Sequence, residues 1–132
     1  MPADYAYDYA IIRLVPRVER GEMINAGVIL SCPDVEFLEA RIELDEARAL
    51  ALDDTLDMTI VRAHLATIPA ICAGAAEAGA IAALPQRQRF HWLVSPRSTV
   101  IQMSAVHTGR TADPTAALDR LLETMVRQPG KH

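Results

Sequence analysis

Aromatic residues are scarce in this chain: Phe, Trp and Tyr make up 5% of its 132 residues. Its core must therefore be assembled from Ala, Val, Ile and Leu. Cysteine is nearly absent, with only Cys32 and Cys72, far apart in the chain. That pattern fits reduced thiols and gives neither a disulfide framework nor a Cys-rich metal motif. No apolar run approaches about 18 residues, so no membrane-spanning helix is expected. The opening Met1-Pro-Ala-Asp-Tyr5 lacks a basic region followed by an apolar one, so no signal peptide is read there, and the expected compartment is the cytoplasm. An excess of basic charge is also missing. Thirteen Lys and Arg stand against 17 Asp and Glu, a formal net charge of −4. A domain binding nucleic acid generally through counterion release would be basic, so that class is disfavoured. The nucleotide, zinc and hydrolase signatures GxGxxG, GxxxxGK[ST], HExxH, GxSxG and CxxC do not occur, so no cofactor and no metal are expected.

What is present is an ordinary globular composition, 51% apolar and 23% charged. The length fits one domain over 1–132, with loosely held tails at 1–6 and 128–132. Asp8 to Val15 reads as a strand with two largely apolar faces, hence a central one. Pro16 cannot donate to a ladder and should weaken pairing there. After the charged joint Arg17-Val-Glu-Arg-Gly-Glu22, Met23 to Leu30 resumes the apolar character, and Gly27 marks a bulge or a close backbone approach. Cys32-Pro-Asp34 is a turn. Glu36 to Leu44 then alternates, with Leu38, Ala40, Ile42 and Leu44 inward and the other face wet, which predicts an antiparallel hairpin with the preceding strand.

Asp45 caps a short helix to Leu52. Asp57 caps a longer one with the stripe Met58, Val61, Leu65, Ile68 and Cys72; Pro69 should kink or split it. Ala73 to Leu84 is a helix end or a loose connection. Pro85 to Val94 reads as a helical turn, Thr99 to Val106 as a fourth strand, and His107 to Thr111 as a polar loop. Asp113-Pro114 starts a last helix with the stripe Leu118, Leu121, Leu122, Met125 and Val126. This order predicts an α+β fold: an antiparallel or mixed sheet of about four strands with helices packed mainly on one face.

Chemistry concentrates in the arginines. Arg13 is the anomaly, a cation on a strand face with Ile11 and Val15. It needs an acidic partner or a wet cleft, because breaking a buried pair costs roughly 3–5 kcal/mol. Arg17, Arg20, Arg89 and Arg97 lie at strand ends or in connections. A guanidinium offers a planar fork of donors suited to carboxylate or phosphate, and Asn25, Ser98, Ser104 and His107 could add contacts to an anion. The competing reading is a surface network with Glu19, Glu22, Glu36, Glu39 and Glu43, of little energetic worth. His91 and His107 each stand beside arginines, which would favour neutral imidazole and suit a general base, or else a structural histidine. His64 reads as a solvated helix residue, and His132 is terminal.

Two stretches go further. One is Tyr9-x-x-x-Arg13-x-x-Pro16-Arg17-x-x-Arg20-x-Glu22-x-x-Asn25-x-Gly27-Val28-Ile29-Leu30. The other is Arg89-Phe90-x-Trp92-Leu93-x-x-Pro96-Arg97-Ser98-x-Val100-Ile101-Gln102-x-Ser104-x-x-His107-x-Gly109, followed by Asp113-Pro114. Together they resemble a bacterial family known as domain of unknown function 3037, with Ala105 standing where that pattern would have proline. The resemblance covers essentially the whole chain and carries no established activity. It implies a small bacterial cytosolic protein whose partner is a HipA-like kinase encoded nearby.

The expected function is a non-catalytic accessory or interaction domain with an arginine-lined pocket for a phosphate-containing small molecule or another anion. Its ligand-binding candidates are Arg13, Arg17, Arg20, Asn25, Arg89, Arg97, Ser98, Ser104 and His107. One alternative is a phosphoryl-transfer or phosphodiester hydrolase with His107 as base and Glu22 holding a metal. Another is a structural homodimer subunit.

Overall fold

The computed structural model describes residues 4–128; the expected loose tails fall partly outside that range, at 1–3 and 129–132. The first strand, β1, spans Tyr5–Leu14 and is the axis of the molecule. On one edge it pairs antiparallel with β2, Ile24–Cys32, which pairs in turn with β3, Phe37–Ile42. On its other edge it pairs with two short strands in succession, β4 (Ile101–Met103) opposite Ile12 to Leu14 and β5 (His107–Thr111) opposite Tyr5 to Tyr9. The fold is α+β, as expected, with an antiparallel sheet ordered β3-β2-β1 and then β4 and β5.

Three corrections concern this outer edge. Tyr5 and Ala6 belong to β1 rather than to a loose arm. The expected fourth strand keeps only Ile101–Met103, and His107 to Thr111 is a strand rather than a loop. The physical reason is that β1 presents a long row of backbone donors and acceptors. A polar segment can satisfy that row as well as an apolar one. Between β4 and β5, Ser104 maintains the pairing: its N–H donates to Ile11 O at 2.9 Å, and its hydroxyl accepts from Ile11 N–H at 2.8 Å.

Four α-helices cover the sheet. They are α1 (Glu46–Leu52), α2 (Met58–Cys72), α3 (Gln86–Val94) and α4 (Pro114–Met125). Side-chain oxygens of Asp45, Asp57 and Asp113 accept from the first free N–H groups of α1, α2 and α4, as their sequence positions predicted. The helix α2 runs on through Pro69 to Cys72, so it is not split. Ala73 to Leu84 forms two 3-10 turns.

The two faces of the sheet bury separate clusters. On one, Ala10, Ile12, Leu14, Ile24, Ala26, Ile29 and Leu38 meet Ala49, Val61, Leu65, Ile68, Phe90 and Leu93 of α1, α2 and α3. On the other, Tyr7, Ile11, Val28, Leu30 and Cys32 meet Ala117, Leu118, Leu121 and Leu122 of α4, with Val126 just beyond it. Met125, expected in that stripe, is exposed, and Ala117 is buried instead. The outer face of β3, expected to be wet, is partly covered: Phe37 packs on the α4 cluster and Arg41 pairs with Asp119.

Gly27 sorts the side chains of β2 between these clusters. The register shifts so that Ile12 faces Gly27 while Arg13 faces Asn25, leaving Ala26 as the extra residue of a bulge. The bulge sends Val28 to the face opposite that of Ala26. A Cβ at Gly27 would lie 2.4 Å from Arg41 O, so no other residue fits without moving backbone.

Candidate functional site

Most of the candidate arginines are engaged within the protein. Arg89 Nη1 donates to Ile71 O at 3.1 Å and Cys72 O at 2.9 Å, closing the last turn of α2. Arg97 does the same for α3, donating to Leu93 O at 2.9 Å and Trp92 O at 2.7 Å while its guanidinium lies over the Trp92 ring. Both stand where a helix leaves carbonyls unpaired and its dipole favours a cation. Arg17 reaches Asp53 at 3.5 Å, and Arg20 pairs with Glu22. Arg87 bonds Asp8 and, at 2.9 Å, the hydroxyl of Ser31, tying α3 to the sheet.

Arg13 is different. Its Nε is shielded from solvent and meets no acceptor among the described residues, and no ion pair there includes it. The Nε of Arg89 is likewise shielded, yet its neighbouring Nη1 has two carbonyls. An unanswered buried donor on a charged group is a rare and costly feature that calls for a partner.

The register supplies the surroundings of Arg13. It lies directly opposite Asn25 on β2 and Gln102 on β4. Cross-strand partners share a face and stand roughly 4.5–5.5 Å apart at Cβ. A row of carboxamide, guanidinium and carboxamide therefore crosses the sheet on the α4 side, where Ile11 ends the apolar cluster. All three residues are half-buried. Asn25 Nδ2 donates to Met125 O at 2.8 Å, so the row sits against the C-terminal end of α4. That end carries roughly half a negative charge, which offsets only part of the full charge on Arg13. Asn25 lines a polar hollow of about 460 Å³ with Arg48, Thr124 and Arg127, and Gln102 borders an apolar one of about 480 Å³ that is walled by α2, α3 and β4.

The remaining candidates do not join this row. Ser104 is buried, with its hydroxyl engaged by Ile11 N–H and Ala105 O. Ser98 is exposed at the mouth of the second hollow. His107 lies on β5 opposite Tyr9, its ring 5.5 Å from the Tyr9 ring. Glu22 precedes Ile24, which faces Leu14 across the other edge of β1. Positions 9 and 14 are five strand residues apart, about 17 Å, so His107 and Glu22 are not brought within a water bridge of each other. Among the described residues, no group of three or more His, Cys, Asp and Glu is placed to hold a metal ion. No helix among them is long and apolar enough to cross a membrane.

Gln102 was not among the sequence candidates. Its alternation marked it only as a strand residue; its place beside Arg13 depends on a register that no local pattern encodes.

Fold and site together define a small α+β domain whose sheet is closed by three helices on one face and by a single helix, with a polar row at its end, on the other. The chain belongs to the family described as Protein of unknown function (DUF3037), whose model matches residues 9–126. Comparison with curated proteins and with solved structures gave no match.

Proposed function

We propose that this protein is a non-catalytic accessory domain that binds an oxyanion, a phosphate or a carboxylate, at the row Arg13, Asn25 and Gln102. The observation carrying the reading is the shielded Nε of Arg13 with no acceptor among the described residues. A guanidinium can present its Nε and Nη donors as a fork, matched by two oxygens of a carboxylate or phosphate, and here an oxyanion reaches the shielded Nε only when neighbouring side chains move aside. The flanking carboxamides already give one N–H each, Asn25 to Met125 O and Gln102 to Thr99 O, and each keeps a second to offer without adding charge. Arg17, Arg20, Arg89 and Arg97 hold turns and helix ends in this reading and shape the domain rather than the ligand.

The ligand is a phosphate-bearing small molecule or an acidic or phosphorylated segment of a partner. The HipA-like kinase suggested by the family resemblance is the first protein to try. The reading takes the domain to be cytoplasmic, which the free, buried thiols of Cys32 and Cys72 support.

Calorimetric titration with pyrophosphate tests the anion site. Arg13→Gln should weaken binding by about tenfold to a hundredfold, the worth of a charged hydrogen bond, while Arg17→Gln leaves it unchanged. Equal binding by wild type and Arg13→Gln would end the proposal. The kinase partnership is tested separately by co-purification, with Arg13→Gln as the comparison.

A further inference from the structure

The free edge of β4 adjoins an apolar hollow. The backbone pairing fixes which groups face outward. Val15 N–H donates to Val100 O at 2.7 Å and Ser104 N–H donates to Ile11 O. Positions 100, 102 and 104 are thus the hydrogen-bonded ones towards β1, and Ile101 and Met103 turn their N–H and C=O groups away from it. Ile101 O is met by the Thr99 hydroxyl at 2.8 Å. Among the described residues the sheet has no strand beyond β4, so the Ile101 N–H and both backbone groups of Met103 lack a strand partner there.

The hollow of about 480 Å³ beside this edge has Ile68 of α2, Trp92 and Leu93 of α3, and Ile101 and Met103 in its wall. Trp92 and Val18, which also line it, are each 41% exposed, large apolar groups left in water. Its charged or titratable lining consists of Arg97 and His64, with no carboxylate. For a chain of net charge −4, that is a local reversal, and it complements a negatively charged ligand.

We infer that this edge takes up an extended peptide segment of a partner, added as a strand beside β4. Alternate apolar side chains of the segment enter the hollow, and an acidic residue of it meets His64 and the donors of Arg97 left over from its bonds to Leu93 O, Ser95 O and Trp92 O. The open backbone groups decide for a peptide over a fatty acid or other amphiphile: they require donors and acceptors at strand spacing, which only another backbone supplies. Edge strands are commonly blunted by shortness, charge or proline; β4 is short, at three residues, but Ile101-Gln102-Met103 carries neither charge nor proline. This site borders the anion row at Gln102, but its apolar wall lies on the three-helix face, where Ile101 and Met103 pair with Leu14 and Ile12.

The probes are a seven-residue peptide alternating valine with threonine and ending in aspartate, the same peptide N-methylated at alternate residues, and decanoate. Each is titrated into the full-length 15N-labelled protein. The expected result is a shift of the Ile101 and Met103 amide resonances with the plain peptide and an affinity at least about tenfold lower after N-methylation, the worth of roughly one backbone hydrogen bond. Met103→Pro breaks no bond to β1, removing the outward N–H and a side chain of the hollow's wall, and should block the peptide while the protein still folds. Arg13→Gln should leave peptide binding unchanged, so this inference and the anion reading fail independently. Equal binding of plain and N-methylated peptide, binding of decanoate alone, or Ile101 and Met103 shifts that follow protein concentration, as for a second copy of the chain, would each overturn it.

Discussion

The arginines beneath the three helices and Arg13 beneath α4 stand in opposite situations. Under α1, α2 and α3, guanidinium groups close the structure. Arg87 ties α3 to Asp8 and Ser31, Arg89 finishes α2, and Arg97 finishes α3. Under α4 the apolar cluster stops at Ile11, and the next residue of that face, Arg13, meets no acceptor among the described residues. A face covered by three helices has carbonyls and carboxylates to offer a cation. The α4 face offers them too, Asp119 to Arg41 and Glu43 and Glu123 to Arg127, but none of them reaches Arg13. The comparison teaches that a count of arginines says little, and that the arginine to propose for a ligand is one the fold leaves unanswered.

The largest effects should come from the apolar clusters themselves. Leu65→Ala on one face and Leu118→Ala on the other should each cost about 2–5 kcal/mol in denaturant unfolding. If Leu118→Ala proved nearly neutral, α4 would not be part of the cooperative fold. Next is the bulge that sorts β2 between the faces. Gly27→Ala sets a Cβ against Arg41 O and should cost on the order of 1–3 kcal/mol. A neutral result would mean that β2 and β3 slide apart freely.

The sharper contrast lies between single arginines. Arg87→Ala leaves Asp8 and Ser31 without their partner and should cost about 1–3 kcal/mol. Arg13→Leu removes a cation that has no partner to lose, so it should be neutral or stabilising by up to a few kcal/mol. Arg13→Leu destabilising the fold as much as Arg87→Ala would show that the fold does answer this guanidinium.

The smallest effect is one of pH. Burial pushes the Cys72 thiol up to about 12, because the thiolate is poorly solvated there. A raised folded value means that the unfolded thiol ionises first. The contribution is complete below the ordinary value near 9 and is lost as pH rises from there towards 12. Stability measured across that window should fall for wild type and fall less for Cys72→Ala. At the acid end, Arg127 holds Glu43 and Arg62 holds Glu46 below the ordinary carboxylate range. Their contribution is present above pH 4.5 and is lost below it as each glutamate takes up its proton.

Much of this fold was legible in the sequence. The caps at Asp45, Asp57 and Asp113 act locally, through a side chain reaching N–H groups within three residues, so spacing alone revealed them. The β2–β3 hairpin and the α2 stripe follow from apolar periods of two and about 3.6. Strand β5 was not legible, because His107-Thr-Gly-Arg-Thr has no apolar alternation and pairs only because β1 is long enough to receive it. The helix-end roles of Arg89 and Arg97 were hidden for a related reason: their acceptors are backbone carbonyls, which every residue has. At the site, Arg13 stood out as a cation on an apolar face and Asn25 as a neighbour of the joint. Gln102 did not, since it reaches Arg13 through tertiary register.

The central claim is that Arg13 is left open for an oxyanion, and its Nε–H reports on that most directly. In a 15N-edited spectrum of the full-length protein titrated with pyrophosphate, the Arg13 Nε–H resonance should move and saturate, with those of Arg89 and Arg97 unmoved. An Arg13 resonance that stays in place while exposed arginines such as Arg17 and Arg20 drift without saturation would contradict the account.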